Sequence, residues 1–175
     1  MGRAAAPAHR ARGARPRTAE RGRPADRRPR VIVYVDASAL VKRYVAEAGT
    51  DEVASLVDTA SVLGTSIISR AEVAAALAKA SRMNVVSHDE AAAAQSAFDA
   101  EWTALARVQM SEMLVARAAA VAWDHGLRGY DAVHLATALF WQDMVGERVT
   151  VATFDHQLWR AAHTTALGTW PGGLV

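Results

Sequence analysis

Four acidic residues stand where helical patterns open, three of them just after short apolar runs and one, Asp131, after a Gly126–Gly129 turn region. Asp36 ends the run "VIVYV", Glu72 sits in "SRAEVAAAL", Asp131 opens "YDAVHLATALFW", and Asp155 follows "ERVTVATF". Carboxylates gathered at one place repel unless a cation is present. All-oxygen donors favour Mg2+ (or Mn2+) over zinc. Such an ion with open positions serves phosphate chemistry: it lowers the pKa of a water and clamps the attacking and leaving oxygens. Other routes lack their parts. The chain has no Cys, no GxSxG, no phosphate-cradling glycine loop and no HExxH.

Each acid also has a local reading. "SRAE" has the form of a capping box, Ser69 at the N-cap and Glu72 three residues on. Asp131 and Asp155 are acceptable N-caps, and acids near helix N-termini relieve the helix dipole. "SHDE", residues 87–90, is a capping box with no chemistry assigned to it. Singly, each acid reads as a cap. Jointly they read as a site, because caps need not follow the strands of one sheet, whereas ligands of open α/β sheets gather at strand carboxyl ends. His134, three residues after Asp131, reads as a packed or hydrogen-bonded histidine rather than a ligand.

The elements that must position these acids alternate. Residues 31–35 are apolar and β-branched, as in a strand covered on both faces. A helix is expected over 38–46 and a second from a Thr50 cap. A strand follows over 61–68, with Gly64 marking a bulge or a close approach. Helices are expected over 69–82 and 87–107, a short strand over 108–110, and helices over 111–126 and 130–141, the last apolar nearly all round. A strand over 147–154, a helix from Asp155 and an edge strand at "GTW" complete the pattern. This order predicts a three-layer α/β/α domain with a mostly parallel central sheet. Trp102, Trp123, Trp141 and Trp159 fall at helical positions and read as core or dimer surface.

Charge divides the chain. Residues 1–30 hold ten Arg against Glu20 and Asp26, a net of +8, so the +2 of the whole chain leaves −6 for residues 31–175. Bulk charge therefore carries no nucleic-acid argument. The first 30 residues contain Pro7, Pro16, Pro24 and Pro29 and no Leu, Ile, Val, Phe, Tyr or Trp, too little apolar surface to fold alone. They read as a phosphate-contacting arm, a solvated tail or a start-site artefact, with the composition favouring the latter two. No apolar run reaches the roughly 20 residues that span a bilayer. The absence of Cys excludes disulfides, and a reducing cytoplasm is the expected compartment.

The pieces "YVDASALVKRY", "SRAEVAAAL", "GYDAVHLATAL" and "VATFDHQLW", in this order over residues 31–159, resemble the PIN-domain ribonucleases, specifically the VapC-type toxins of toxin–antitoxin pairs. The resemblance implies a PIN-like domain at 31–175 and catalytic, metal-binding acids at Asp36, Glu72, Asp131 and Asp155. It places supporting hydroxyls at Ser38 and Thr153. It further implies Mg2+- or Mn2+-dependent endonucleolytic cleavage of RNA, a homodimer, and inhibition by a cognate antitoxin; the −6 charge of residues 31–175 and the clustered acids lead us to expect that a basic antitoxin group reaches the acidic cleft. Lys42, Arg43 and Arg70 are candidate RNA contacts. Lys79 and Arg82 read as solvated helix faces.

Rival readings lack residues. A haloacid-dehalogenase phosphatase needs an acid where Ser38 stands, and a receiver domain needs an acidic pair at the first strand. A catalytically silent PIN-like binding module and a nuclease acting on DNA stay open. The tail makes its own prediction. A chain beginning at Val31 is expected to melt and cleave like the full chain. A large loss of thermal stability would instead show that the segment packs, and weaker RNA binding with a flattened salt dependence would show a phosphate-binding arm.

Overall fold

The computed structural model describes residues 1–2 and 30–174, so the reading of the arginine-rich tail falls outside the described residues. Its frame is the first strand, β1 (Ile32–Val35), all four of whose residues are buried. Alternation along a strand sends neighbours to opposite faces. Ile32 and Tyr34 join one apolar cluster, while Val33 and Val35 join the other. Both faces of β1 must therefore be covered, and helices cover them.

After β1 come α1 (Ala37–Lys42), α2 (Thr50–Thr59), β2 (Val62–Ser66), α3 (Ser69–Arg82) and α4 (His88–Glu101). A 3-10 turn (Trp102–Ala104), β3 (Ala106–Val108), α5 (Glu112–His125) and α6 (Gly129–Val145) follow. The domain closes with β4 (Val149–Ala152), α7 (His156–His163) and β5 (Gly168–Trp170). The five strands are wholly parallel, in the order β3-β2-β1-β4-β5. Leu40, Val73, Leu77 and Phe98, from α1, α3 and α4, fill one side of the sheet. Leu114, Leu135 and Leu158, from α5, α6 and α7, fill the other. The architecture is the expected α/β/α sandwich.

This strand order fixes where a site belongs. The chain steps outward from β1 to β2 and β3, then returns to the opposite side of β1 with β4 and β5. The order reverses between β1 and β4, and parallel sheets open a crevice at such a point, outside the strands' carboxyl ends. Asp36 and the segment 153–155 lie there.

Several local expectations are corrected. The first helix stops at Lys42, not residue 46, and Gly49 at φ 95° caps α2 in place of Thr50. The Thr50 hydroxyl instead ties the loop, donating to the Val45 carbonyl and accepting from the Glu47 N–H. The helix expected over 87–107 ends at Glu101 and β3 begins at Ala106, earlier than expected. Burial explains this: Trp102 packs on Phe98 at 5.3 Å, and buried Leu105 must already turn into the sheet. "SHDE" forms its capping box, with Ser87 and Glu90 exchanging both hydrogen bonds. "SRAE" does not. Ile68 precedes α3 with helical backbone, and the Ser69 hydroxyl pairs with that of Thr65 at 2.7 Å. Trp102 and Trp141 are core residues, whereas Trp123 is exposed on α5.

Gly64 is a close approach and not a bulge. Its register runs unbroken between Tyr34 and Ala106, and a Cβ there would lie 2.5 Å from the Trp141 ring. Gly64→Ala is expected to cost about 1–3 kcal/mol, the range for overpacking a core. Combined with Trp141→Phe, the loss should fall short of the sum of the two single losses. Chemical denaturation measures both, and a Gly64→Ala cost below about 0.5 kcal/mol, ordinary for a surface change, would contradict this account.

Candidate active site

Asp36 continues β1 by one hydrogen bond, its N–H donating to the Ala152 carbonyl at 3.1 Å, and then caps α1. The residue is only 5% exposed. Three neutral donors hold its carboxylate. Oδ1 accepts from the Ser38 hydroxyl at 2.7 Å and the Ala39 N–H at 3.1 Å, and Oδ2 accepts from the Thr153 hydroxyl at 3.0 Å. Burial pushes the Asp36 carboxyl above its ordinary pKa. Its attraction to His134 and these hydrogen bonds draw it back without cancelling the effect.

The same two hydroxyls bind the loops together. Ser38 Oγ accepts from the Phe154 N–H at 2.8 Å, and Thr153 Oγ1 accepts from the Asp155 N–H at 3.0 Å. Asp155 is thereby set at the head of α7, where its Oδ1 accepts from the N–H groups of Gln157 and Leu158 at 2.8 and 3.0 Å. As expected of an acid at that position, it is the N-cap. Its second oxygen accepts from a side chain ahead of α6.

Asp131 is the third residue of α6 and not its cap; Arg128 holds the cap position without a side-chain capping bond to the helix backbone. The Arg128 guanidinium instead spans two acids. Nε donates to Asp131 Oδ2 at 2.8 Å and Nη2 to Asp155 Oδ2 at 2.7 Å. Sequence reading did not single out Arg128, although its i,i+3 spacing to Asp131 was the available signal.

Glu72 reaches the site from α3. Released from any capping role, its Oε2 accepts from His134 Nε2 at 2.8 Å. His134 is buried, and its Nδ1 meets the Tyr34 hydroxyl at 2.8 Å. A carboxylate only accepts, so Nε2 carries a proton, and in the neutral ring Nδ1 accepts from Tyr34. Burial lowers the His134 pKa, but the bond to Glu72 and the charges of Asp36, Glu72 and Asp131 outweigh it and raise the pKa above its ordinary value. One imidazole thus feels three of the four acids.

The donor set fits a hard divalent cation: oxygens only, one buried carboxylate whose charge is costly, and two others sharing a single positive group. As placed, no three acidic or histidine side chains among the described residues stand close enough to hold an ion. Arg128 lies between two of them.

The candidate RNA contacts all have protein partners. Lys42 Nζ donates to the Ala48 carbonyl at 2.8 Å, pairs with Glu47 at 3.2 Å and lies over the Phe154 ring. Arg43 pairs with Glu101 at 2.7 Å and Arg70 with Asp99 at 3.0 Å. A cavity of about 780 Å³ beside the site is lined by Lys42, Gly49, Leu56, Phe154 and Trp170 but by none of the four acids. No helix among the described residues is long and apolar enough to cross a membrane.

Comparison with known proteins agrees with this fold. The PIN domain family model matches residues 33–163. Ribonuclease VapC45 of Mycobacterium tuberculosis is 35% identical over 144 residues, covering 82% of this chain and 97% of that protein. The toxin–antitoxin complex from Klebsiella pneumoniae has a TM-score of 0.55 at 14% identity, covering 77% of this chain and 94% of that one. Mycobacterium tuberculosis VapC20, a sarcin–ricin loop cleaving toxin, has a TM-score of 0.54 at 21% identity, covering 74% and 94%. The matched span begins inside β1 and ends with α7, taking in all four acids and the crevice they border, and the chain belongs to the PIN-domain family, as a protein of the VapC type.

Proposed function

We propose that this chain is a metal-dependent endoribonuclease, the toxin of a VapBC-type pair, with residues 31–175 as its working domain. The observation that carries the reading is Asp36: a buried carboxylate at the switch point, oriented by three neutral donors and, among the described residues, without an ion-pair partner. The ribonuclease name of the 35%-identical relative supports RNA as the substrate. Asp36, Asp131, Asp155 and Glu72 would hold Mg2+ or Mn2+. When bound, such an ion supplies a lowered water pKa and charge neutralisation at a phosphodiester.

The chain's own residues do the rest. Ser38 and Thr153 aim Asp36 without neutralising it. The N-terminus of α7 holds one oxygen of Asp155, and Arg128 takes the other. His134 fixes the direction of Glu72 against β1. Lys42, Arg43 and Arg70 contact RNA phosphates by exchanging their present carboxylate partners for phosphate oxygens.

Membership of the VapC type supports an antitoxin partner and a homodimer. A cognate antitoxin would place a basic group among these acids, and a homodimer would cover apolar surface such as exposed Met113, Val115 and Trp123 on α5. The cytoplasm is the compartment in which RNA and antitoxin are met.

Two outcomes test the reaction. Cleaved RNA should carry 5′-phosphate and 3′-hydroxyl ends, and chelation should abolish cleavage. A 2′,3′-cyclic phosphate, or undiminished activity in excess chelator, rules out hydrolysis of this kind. Cleavage of DNA alone, or of neither, would move the chain to the nuclease or silent-module alternatives.

Asp36→Asn separates site from scaffold. The raised pKa of Asp36 means that its charge opposes folding above that pKa, and the cost is relieved as pH falls through it. At neutral pH the metal-free Asn variant should therefore melt no lower than wild type. Its cleavage should fall at least ~100-fold, beyond the effect typical of groups that only orient a ligand. The gain in melting temperature on adding Mn2+ should shrink. Normal cleavage with an intact metal-induced shift would refute the assignment of Asp36.

A further inference from the structure

Arg128 is placed where a cation has little reason to be. It stands at the N-terminus of α6, beside that of α7, and helix N-termini carry partial positive charge that repels a guanidinium. It makes no capping bond. Its side chain is 68% exposed, so apolar burial does not hold it there. What holds it is two oxygens on two elements, Asp131 Oδ2 and Asp155 Oδ2, reached through Nε and Nη2 of one planar fork. The remaining contacts of these acids do not neutralise them. Asp155 Oδ1 takes backbone N–H groups, and the hydrogen bonds around Asp36 come from hydroxyls and an N–H.

We propose that Arg128 is a displaceable internal counter-ion: it pairs Asp131 with Asp155 in the metal-free protein and competes with a divalent cation for those two carboxylates. The inference rests on the reading of the acids as a metal centre. Its chemistry is an exchange. Two charge-assisted hydrogen bonds are released, and the oxygens freed become ligands. The high exposure of the side chain lets it swing into solvent without disturbing the core. Arg128 is thus a positioning residue: it keeps two like charges facing one another at the crevice until a stronger cation takes them.

The test is calorimetric titration of the full chain with Mn2+ alone, without RNA, for wild type, Arg128→Gln and the charge-matched control Arg160→Gln. Arg160 lies on α7, exposed, with its Nε donating to the His156 carbonyl rather than to an acid of the site. Arg128→Gln is expected to bind Mn2+ roughly three- to ten-fold more tightly, within the range that two exposed ion pairs together support. Arg160→Gln should match wild type. Thermal melts give a second readout: Arg128→Gln should melt lower than wild type without metal, because Asp131 and Asp155 then repel, and gain more on adding Mn2+. Equal or weaker Mn2+ binding by Arg128→Gln overturns the competition while leaving the metal centre standing. Equal tightening in Arg160→Gln reduces the effect to net charge and also overturns it. Absence of Mn2+ binding in wild type and Arg128→Gln alike removes the metal centre itself and this inference with it.

Discussion

An ionised carboxylate at the end of a fully buried strand is costly, and the fold around Asp36 is arranged to meet that cost without removing the charge. Each apolar residue of β1 is covered on its own face, which requires helices on both sides and a parallel sheet. That sheet reverses its strand order beside β1, so the end of β1 opens into a crevice instead of a packed layer. Burial and access are reconciled at one residue. Ser38 and Thr153 then do two things with one hydroxyl each: they donate to Asp36, and they accept from the N–H groups of Phe154 and Asp155. Satisfying the buried carboxylate and fixing the loop after β4 are the same set of hydrogen bonds.

Two groups moderate the remaining charge, and they differ in kind. His134 is buried and neutralises only when protonated. Its surroundings of Glu72, Asp36 and Asp131 favour that state against the cost of burial. Arg128 is permanently charged and exposed. The division follows from solvation. A guanidinium buried beside Asp36 would be expensive to desolvate, whereas an imidazole is able to enter the core neutral and hydrogen-bonded to Tyr34.

Much of this was legible in the chain because it is local or periodic. The apolar run before Asp36, the strand before Asp155 and the nearly all-apolar pattern of α6 depend on neighbours within a few residues. Even Gly64 announced a close approach, though not that Trp141 would be the approaching group. What escaped reading is tertiary. "SRAE" and "SHDE" look alike as capping boxes, yet only the second forms, because Ser69 is buried and finds Thr65 while Ser87 meets solvent and its own helix. Glu72 was found as an acid, but its partner His134 lies 62 residues away. Arg128 was missed because its second carboxylate, Asp155, lies 27 residues on. The helix end at Glu101 followed from the burial of Trp102 and Leu105, which no propensity scale contains.

The choice of donors around Asp36 bears on function. An arginine or lysine there would satisfy the carboxylate and also quench it, leaving little attraction for an incoming cation. Hydroxyls and an N–H satisfy its lone pairs, so the carboxylate is oriented without a cationic hydrogen-bond partner. Permanent positive charge is kept to the outer pair, Asp131 and Asp155, where solvent makes it easy to exchange. The inner acid is thus held by neutral groups, and the outer acids are held together by an exposed charged one. Under the proposed metal-centre reading, such grading from fixed dipoles inside to an exposed charge outside would keep the acids in place and still leave them attractive to a divalent cation.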